Sequence, residues 1–166
     1  MSDKKPYHVT FICTGNVCRS PFAEGSMRFV ARQEAWLDLI EVTSGGELDL
    51  HGAPADTLMV AEGGRRGFDL TRHRSRQVDF EYLNSCDLIL CLAAGHAALL
   101  KRCHPSISDR VYQLGLYPEA GTNPEADIAD PIGKDEKFFN EVCDQMEMHI
   151  FRVCAELKHK LTQSQA

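Results

Sequence analysis

Tyr7-His8-Val9-Thr10-Phe11-Ile12 runs directly into Cys13-Thr14-Gly15-Asn16-Val17-Cys18-Arg19-Ser20-Pro21. The first six residues are mostly apolar, β-branched or aromatic, which predicts a strand, and the pattern breaks sharply at Cys13. Ser20-Pro21 predicts a helix start, with Ser as N-cap and Pro tolerated at the first helical position. Ala23, Met27 and Val30 then recur at helical spacing with Phe22 and Phe29 alongside, the pattern of an amphipathic helix packed on a sheet.

The alternation repeats outward from this unit. Leu39 to Thr43 predicts a second strand and Pro54 to about Gly64 a second helix. Asp87 to Leu92 is a continuous apolar run, as a parallel strand buried on both faces requires. Ala97 to Cys103 reads as helix, and Val111 to Leu114 as a fourth short strand. Phe138, Val142, Met146, Ile150, Val153, Leu157 and Leu161 form the stripe of a last, core-packing helix. The expectation is an α/β fold: a doubly wound, four-stranded parallel sheet with helices on both faces. It occupies one domain over residues 1–166, with a core of about 7–161 and no linker or repeat. Ligands of such sheets bind beyond the carboxyl ends of the strands, where Cys13 to Ser20 lie. Residues 115–133, rich in Gly and Pro, form a long loop of the kind that often carries function.

A net charge of −6 argues against non-specific nucleic-acid binding, which needs a basic surface. Any anion must therefore be drawn by a local pocket. The start, Met1 to Pro6, has no apolar segment of the secretory type. The longest stretch without formal charge, Leu88 to Leu100, falls short of the ~20 apolar residues of a membrane helix. No membrane partner is expected. Seven cysteines, an odd number in strand-like and helix-like segments, suit a reduced, cytoplasmic setting better than a disulfide framework.

Five residues separate Cys13 from Arg19. If Thr14, Gly15, Asn16, Val17 and Cys18 curl into a nest, their N–H groups converge on one point and suit a tetrahedral oxyanion. Gly15 is expected to permit the curl, and Asn16 to tolerate a positive φ. The following helix aims its N-terminus at the same point, and Arg19 offers a planar fork for two phosphate oxygens. Cations and helix N-termini also favour a thiolate, so Cys13 is the candidate nucleophile for a phosphate monoester, with Ser20 placed to hydrogen-bond its sulfur. The loop lacks the Gly-Lys-Ser/Thr end of a nucleotide loop and the three glycines of a dinucleotide fingerprint.

At these residues the sequence resembles the low-molecular-weight protein tyrosine phosphatases, whose signature is a near-N-terminal Cys-x-Gly-Asn-x-Cys-Arg-Ser-Pro. The likeness spans essentially the whole chain and continues at Val42-Thr-Ser-Gly-Gly46, Asp56, His73-Arg-Ser-Arg-Gln77, Asp87 to Cys91 and Asp130-Pro131. It implies Asp130 as general acid. It also implies a hydrogen-bond network of Asn16, Ser44 and His73 that shapes the loop. Cys18 becomes a redox partner able to form a reversible disulfide with Cys13. The implied substrates are phosphotyrosyl proteins, with inorganic phosphate as product and inhibitor, and neither cofactor nor metal takes part.

Some positions depart from the family pattern. Leu50 and Ile132 stand near positions at the pocket mouth that usually carry aromatics, with Gly133 beside Ile132. Leu92-Ala93 replaces the usual Met-Asp after the third strand. The alternatives on the same fold are an arsenate reductase and a protein arginine phosphatase. Arsenate reductases usually carry Gln where Pro21 stands and resolving cysteines closer together than Cys91 and Cys103. Arginine phosphatases prefer Thr where Val17 stands. From other classes come a non-catalytic phosphate-binding module and, by spacing alone, a zinc site of Cys13, Cys18, Cys86 and Cys91.

Overall fold

The computed structural model describes residues 5–164. Tyr7–Cys13 forms β1, flanked by Ile40–Gly46 (β2) on one side and Leu88–Cys91 (β3) on the other, with Val111–Gln113 (β4) beyond β3. All pairings are parallel, in the order β2-β1-β3-β4. The chain leaves β1 for opposite neighbours, so a crevice opens at the carboxyl end of β1, where Cys13 sits opposite Gly46.

Five helices cover the sheet: Arg19–Gln33 (α1), Thr57–Arg65 (α2), Phe80–Ser85 (α3), Ala94–Cys103 (α4) and Glu136–Gln163 (α5). One face of the sheet supplies Val9, Phe11 and Leu90 to a core with Phe22, Met27, Met59, Met146 and Ile150 from α1, α2 and α5. The other face packs Ile12, Ile89 and Cys91 against Leu83 of α3 and Leu100 of α4. Burial on both sides explains why Leu88, Ile89, Leu90 and Cys91 are apolar without alternation.

Element ends shift by a few residues from the sequence reading, and three departures have a physical reason. Helix α3 lacks a visible periodicity because it has six residues; Asp79 starts it by accepting from Tyr82 N at 2.8 Å. Helix α4 begins at Ala94, earlier than Ala97, because Ala94 N donates to Asp127 Oδ1 from a distant loop (2.7 Å). Ser20 does not cap α1. The helix starts at Arg19 with Cys18 at the cap position and no side-chain capping bond, which leaves first-turn N–H groups available to an anion.

Two polar clusters inside the fold are well paired. Tyr82 OH bridges the buried Thr10 (2.6 Å) and Thr43 (2.5 Å), and the Arg76 guanidinium lies 4.3 Å from its ring centroid. Glu62, buried on α2, is bonded by Arg65 and Arg66, and Arg66 continues to Asp144 (2.6 Å) and Glu147 (3.2 Å) on α5. Burial pushes the Glu62 carboxyl up, but the bonds from Arg65 and Arg66 outweigh it and hold the carboxyl below its ordinary range. Removing one partner of such a buried pair typically costs about 3–5 kcal/mol, so this cluster is a firm tie between α2 and α5. Among the described residues, no helix is long and apolar enough to cross a membrane.

Candidate active site

The chain leaves β1 at Cys13, curls through residues 14–18 and enters α1 at Arg19. Asn16 takes the positive φ of the curl, 55°. Gly15 does not, so the expectation that it permits the curl is corrected. A Cβ there would lie 2.8 Å from Leu50 Cδ1, and Gly15 thus keeps the mouth of the pocket clear. The glycine that shapes the loop is Gly46 on β2, where a Cβ would meet backbone atoms of Thr14, Gly15 and Asn16 at 2.9 Å. Its only sequence signal is the Gly45-Gly46 pair closing a strand. Backbone bonds from Glu47 N to Cys13 O (3.1 Å), Leu48 N to Thr14 O (2.9 Å) and Asp56 N to Val17 O (2.8 Å) strap the loop down.

Asn16 is the hub of the loop. It is fully buried, and its Nδ2 donates to Ser20 Oγ and Ser44 Oγ, each at 2.9 Å. Its Oδ1 accepts from Arg76 N (3.0 Å), and its carbonyl lies 2.7 Å from His73 Nε2. The Ser44 hydroxyl passes on to Glu24 Oε2 at 2.6 Å. Every polar atom of this side chain is engaged, which holds an otherwise strained left-handed residue in one conformation.

Cys13 Sγ lies 2.9 Å from Ser20 Oγ, at the start of α1. Arg19, buried, donates from Nη1 to Ile128 O (2.9 Å), and its Nη2 lies 3.4 Å from Asp130 Oδ2. Asp130 is half exposed and accepts from Ile132 N through Oδ1 (3.2 Å). Cys13, Arg19 and Asp130 line one cavity of about 170 Å³ together with Thr14, Gly15, Val17 and Cys18. Leu48, Leu50 and Ile132 form its aliphatic rim. Burial, reinforced by Asp56, drives the Cys18 thiol far up, so it stays protonated. The four cysteines weighed for zinc are not gathered: among the described residues no three metal-ligating side chains come together.

Two residues at the site escaped the sequence reading. Asp127 Oδ1 accepts from Ala94 N and from Gln113 Nε2 (2.9 Å), which pins the long loop to the ends of β4 and α4 and so sets Asp130 over Arg19. His96, on α4, places Nε2 3.0 Å from Thr14 Oγ1, while its buried Nδ1 has no partner among the described residues. Nothing in sequence links position 96 to position 14.

Burial first, then the Arg19 charge, hold the His96 imidazole down at about 4, against the opposing pull of Asp127 and Asp130. Between its ordinary 6.5 and about 4 the unfolded chain therefore binds a proton that the folded chain refuses. The stabilisation is complete above 6.5 and is lost as pH falls toward 4. His96→Gln should flatten the fall of the urea midpoint over that window. An unchanged slope in the variant would exclude His96 as its source.

The family model for low molecular weight phosphotyrosine protein phosphatases matches residues 8–163. The chain belongs to this family. The tyrosine phosphatase A of Mycobacterium tuberculosis is 39% identical over 144 residues, spanning 86% of this chain and 85% of that protein. A low molecular weight protein-tyrosine-phosphatase of Streptomyces coelicolor is 33% identical over 85% of this chain and 87% of its own. Solved structures with the same fold include the arginine phosphatase YwlE of Geobacillus stearothermophilus (TM-score 0.83, 26% identity, 95% of this chain, 97% of that one). A low molecular weight protein tyrosine phosphatase from T. tengcongensis superposes equally closely (TM-score 0.82, 26% identity, 90% of this chain, 99% of that one). This phosphatase is thus a phosphoric monoester hydrolase, built on the α/β fold and the parallel sheet described above.

Proposed function

We propose that this phosphatase hydrolyses phosphotyrosyl proteins through a cysteinyl-phosphate on Cys13. The observation that carries the reading is the convergence of Cys13, Arg19 and Asp130 on one small cavity floored by the 14–18 loop. The loop N–H groups and the Arg19 fork hold three phosphoryl oxygens. The Cys13 thiolate attacks phosphorus in line, and the P–O bond to the tyrosine ring breaks. Asp130, as the acid, gives its proton to the departing phenoxide. As carboxylate it then takes a proton from the water that attacks phosphorus, and the S–P bond breaks to release inorganic phosphate. Ser20 Oγ, 2.9 Å from the sulfur, donates to the thiolate as it leaves. Released phosphate fits the same cradle and inhibits. No step calls for a cofactor.

The non-aromatic rim of Leu48, Leu50 and Ile132 favours a second reading, hydrolysis of phosphoarginine, by the same steps. Val17 speaks against it, since an aliphatic side chain offers the guanidinium no acceptor. One peptide carrying either phosphotyrosine or phosphoarginine at the same position, assayed with EDTA present, decides between them. The phosphotyrosyl form should be the better substrate by about tenfold or more in kcat/KM, with a phosphoryl group trapped on Cys13 in quenched samples. A preference for the phosphoarginyl form would reverse the assignment.

The same reading makes Cys18, which shares the cavity wall with Cys13, a redox partner in a reducing, cytoplasmic setting. Peptide mapping after mild peroxide should find a Cys13–Cys18 cross-link that dithiothreitol reverses, with activity returning. Inactivation without that peptide would remove Cys18 from the role.

A further inference from the structure

A groove of about 510 Å³ runs along α1 and shares no lining residue with the Cys13 cavity. Its volume falls in the ~300–1,000 Å³ range of small-molecule sites. Phe29 and Phe68 form an apolar wall, their ring centroids 6.3 Å apart. Arg32 and Arg72 line the same groove, both exposed and neither bonded to a carboxylate among the described residues. A third arginine, Arg28, lies 3.5 Å from Glu24. Three arginines thus face two carboxylates, Glu24 and Asp69, in a chain whose net charge is −6. A concave, partly aromatic site with a local surplus of positive charge selects an anion.

The walls of the groove also reach the loop that cradles phosphate. Glu24 accepts from Ser44, whose Oγ accepts from Asn16 Nδ2, and His73 bonds the Asn16 carbonyl (2.6, 2.9 and 2.7 Å). Two lining residues of the groove, Glu24 and His73, are therefore linked to one residue, the hub of the loop.

We propose that this groove is a second anion site. It takes a small aromatic monoanion, its ring against Phe29 and Phe68 and its charge on Arg32 and Arg72. Occupancy reaches the phosphate loop through His73, which lines the groove beside Arg72 and bonds the Asn16 carbonyl. The effect on turnover rests on the phosphatase reading above; the binding does not.

Calorimetry with naphthalene-2-sulfonate on the whole protein tests it. With the Cys13 cradle filled by saturating inorganic phosphate, the expected result is one remaining binding site per chain, weakened tenfold or more in R32E/R72E and retained in R19A. Melting curves of the variants control for folding. The neutral analogue 2-naphthol, run on the unaltered protein, should bind at least tenfold more weakly. Absence of binding, loss in R19A with retention in R32E/R72E, or equal binding of 2-naphthol would each overturn the site. Saturating sulfonate should change kcat for p-nitrophenyl phosphate about fivefold or more, the lower range of allosteric coupling. An unchanged kcat would overturn the coupling. If the unaltered protein hydrolyses nothing, the phosphatase reading fails while calorimetry still decides the groove.

Discussion

Cys13→Ser should lower kcat for p-nitrophenyl phosphate by roughly 10⁴–10⁶-fold, the scale of losing a covalent nucleophile. That is more than about 5 kcal/mol of transition-state stabilisation. Inorganic phosphate should still bind, within about threefold of the original affinity, because the loop N–H groups and Arg19 are untouched. The fold should survive as well: serine replaces one small buried group with another, and its hydroxyl keeps a partner in Ser20 Oγ, 2.9 Å from the present sulfur. Turnover above about one percent of the original would remove Cys13 from the covalent role. Loss of phosphate binding together with turnover would mean that the thiol shapes the loop.

Asp130→Ala should have the second largest effect, and a selective one. Positioned proton transfer is worth ~10²–10⁴-fold, so hydrolysis of a phosphotyrosyl peptide should slow by that factor, about 3–5 kcal/mol. A p-nitrophenyl ester, whose phenoxide leaves without help, should slow much less. Stability should scarcely move, since the ion pair with Arg19 involves a half-exposed carboxylate and such pairs contribute about 1 kcal/mol or less. An equal slowdown for both esters would take Asp130 out of the acid role. It would point instead to a part in holding Arg19, whose other contact is Ile128 O at 2.9 Å.

The two variants probe residues of very different visibility. Cys13, Arg19 and Ser20 stand within eight consecutive positions, and strand, curl and helix are local consequences of those residues. Asp130 has only a proline neighbour and a loop to mark it, and resemblance alone raised it above other exposed aspartates. The groove along α1 shows the same limit. Glu24, Arg28 and Arg32 read as one helix face, but Arg72 and His73 come from a segment whose position no local rule supplies.

Taken alone, the sequence determines the alternation of strand and helix, the parallel sheet and the site at the end of β1. Those follow from composition and spacing over short stretches, where side-chain period and backbone preference act between near neighbours. Tertiary structure alone decides what meets the loop. Gly46 yields space to it because β2 pairs in register with β1, bringing that position opposite Cys13. His96 reaches Thr14, and Asp127 anchors the span that brings Asp130 to Arg19, because α4 and the long loop both close over the ends of the strands. These contacts cross 33 to 111 positions of sequence between named pairs, from Ala94–Asp127 and Cys13–Gly46 to Arg19–Asp130. Side-chain periodicity carries no information over such separations; packing of the whole sheet does.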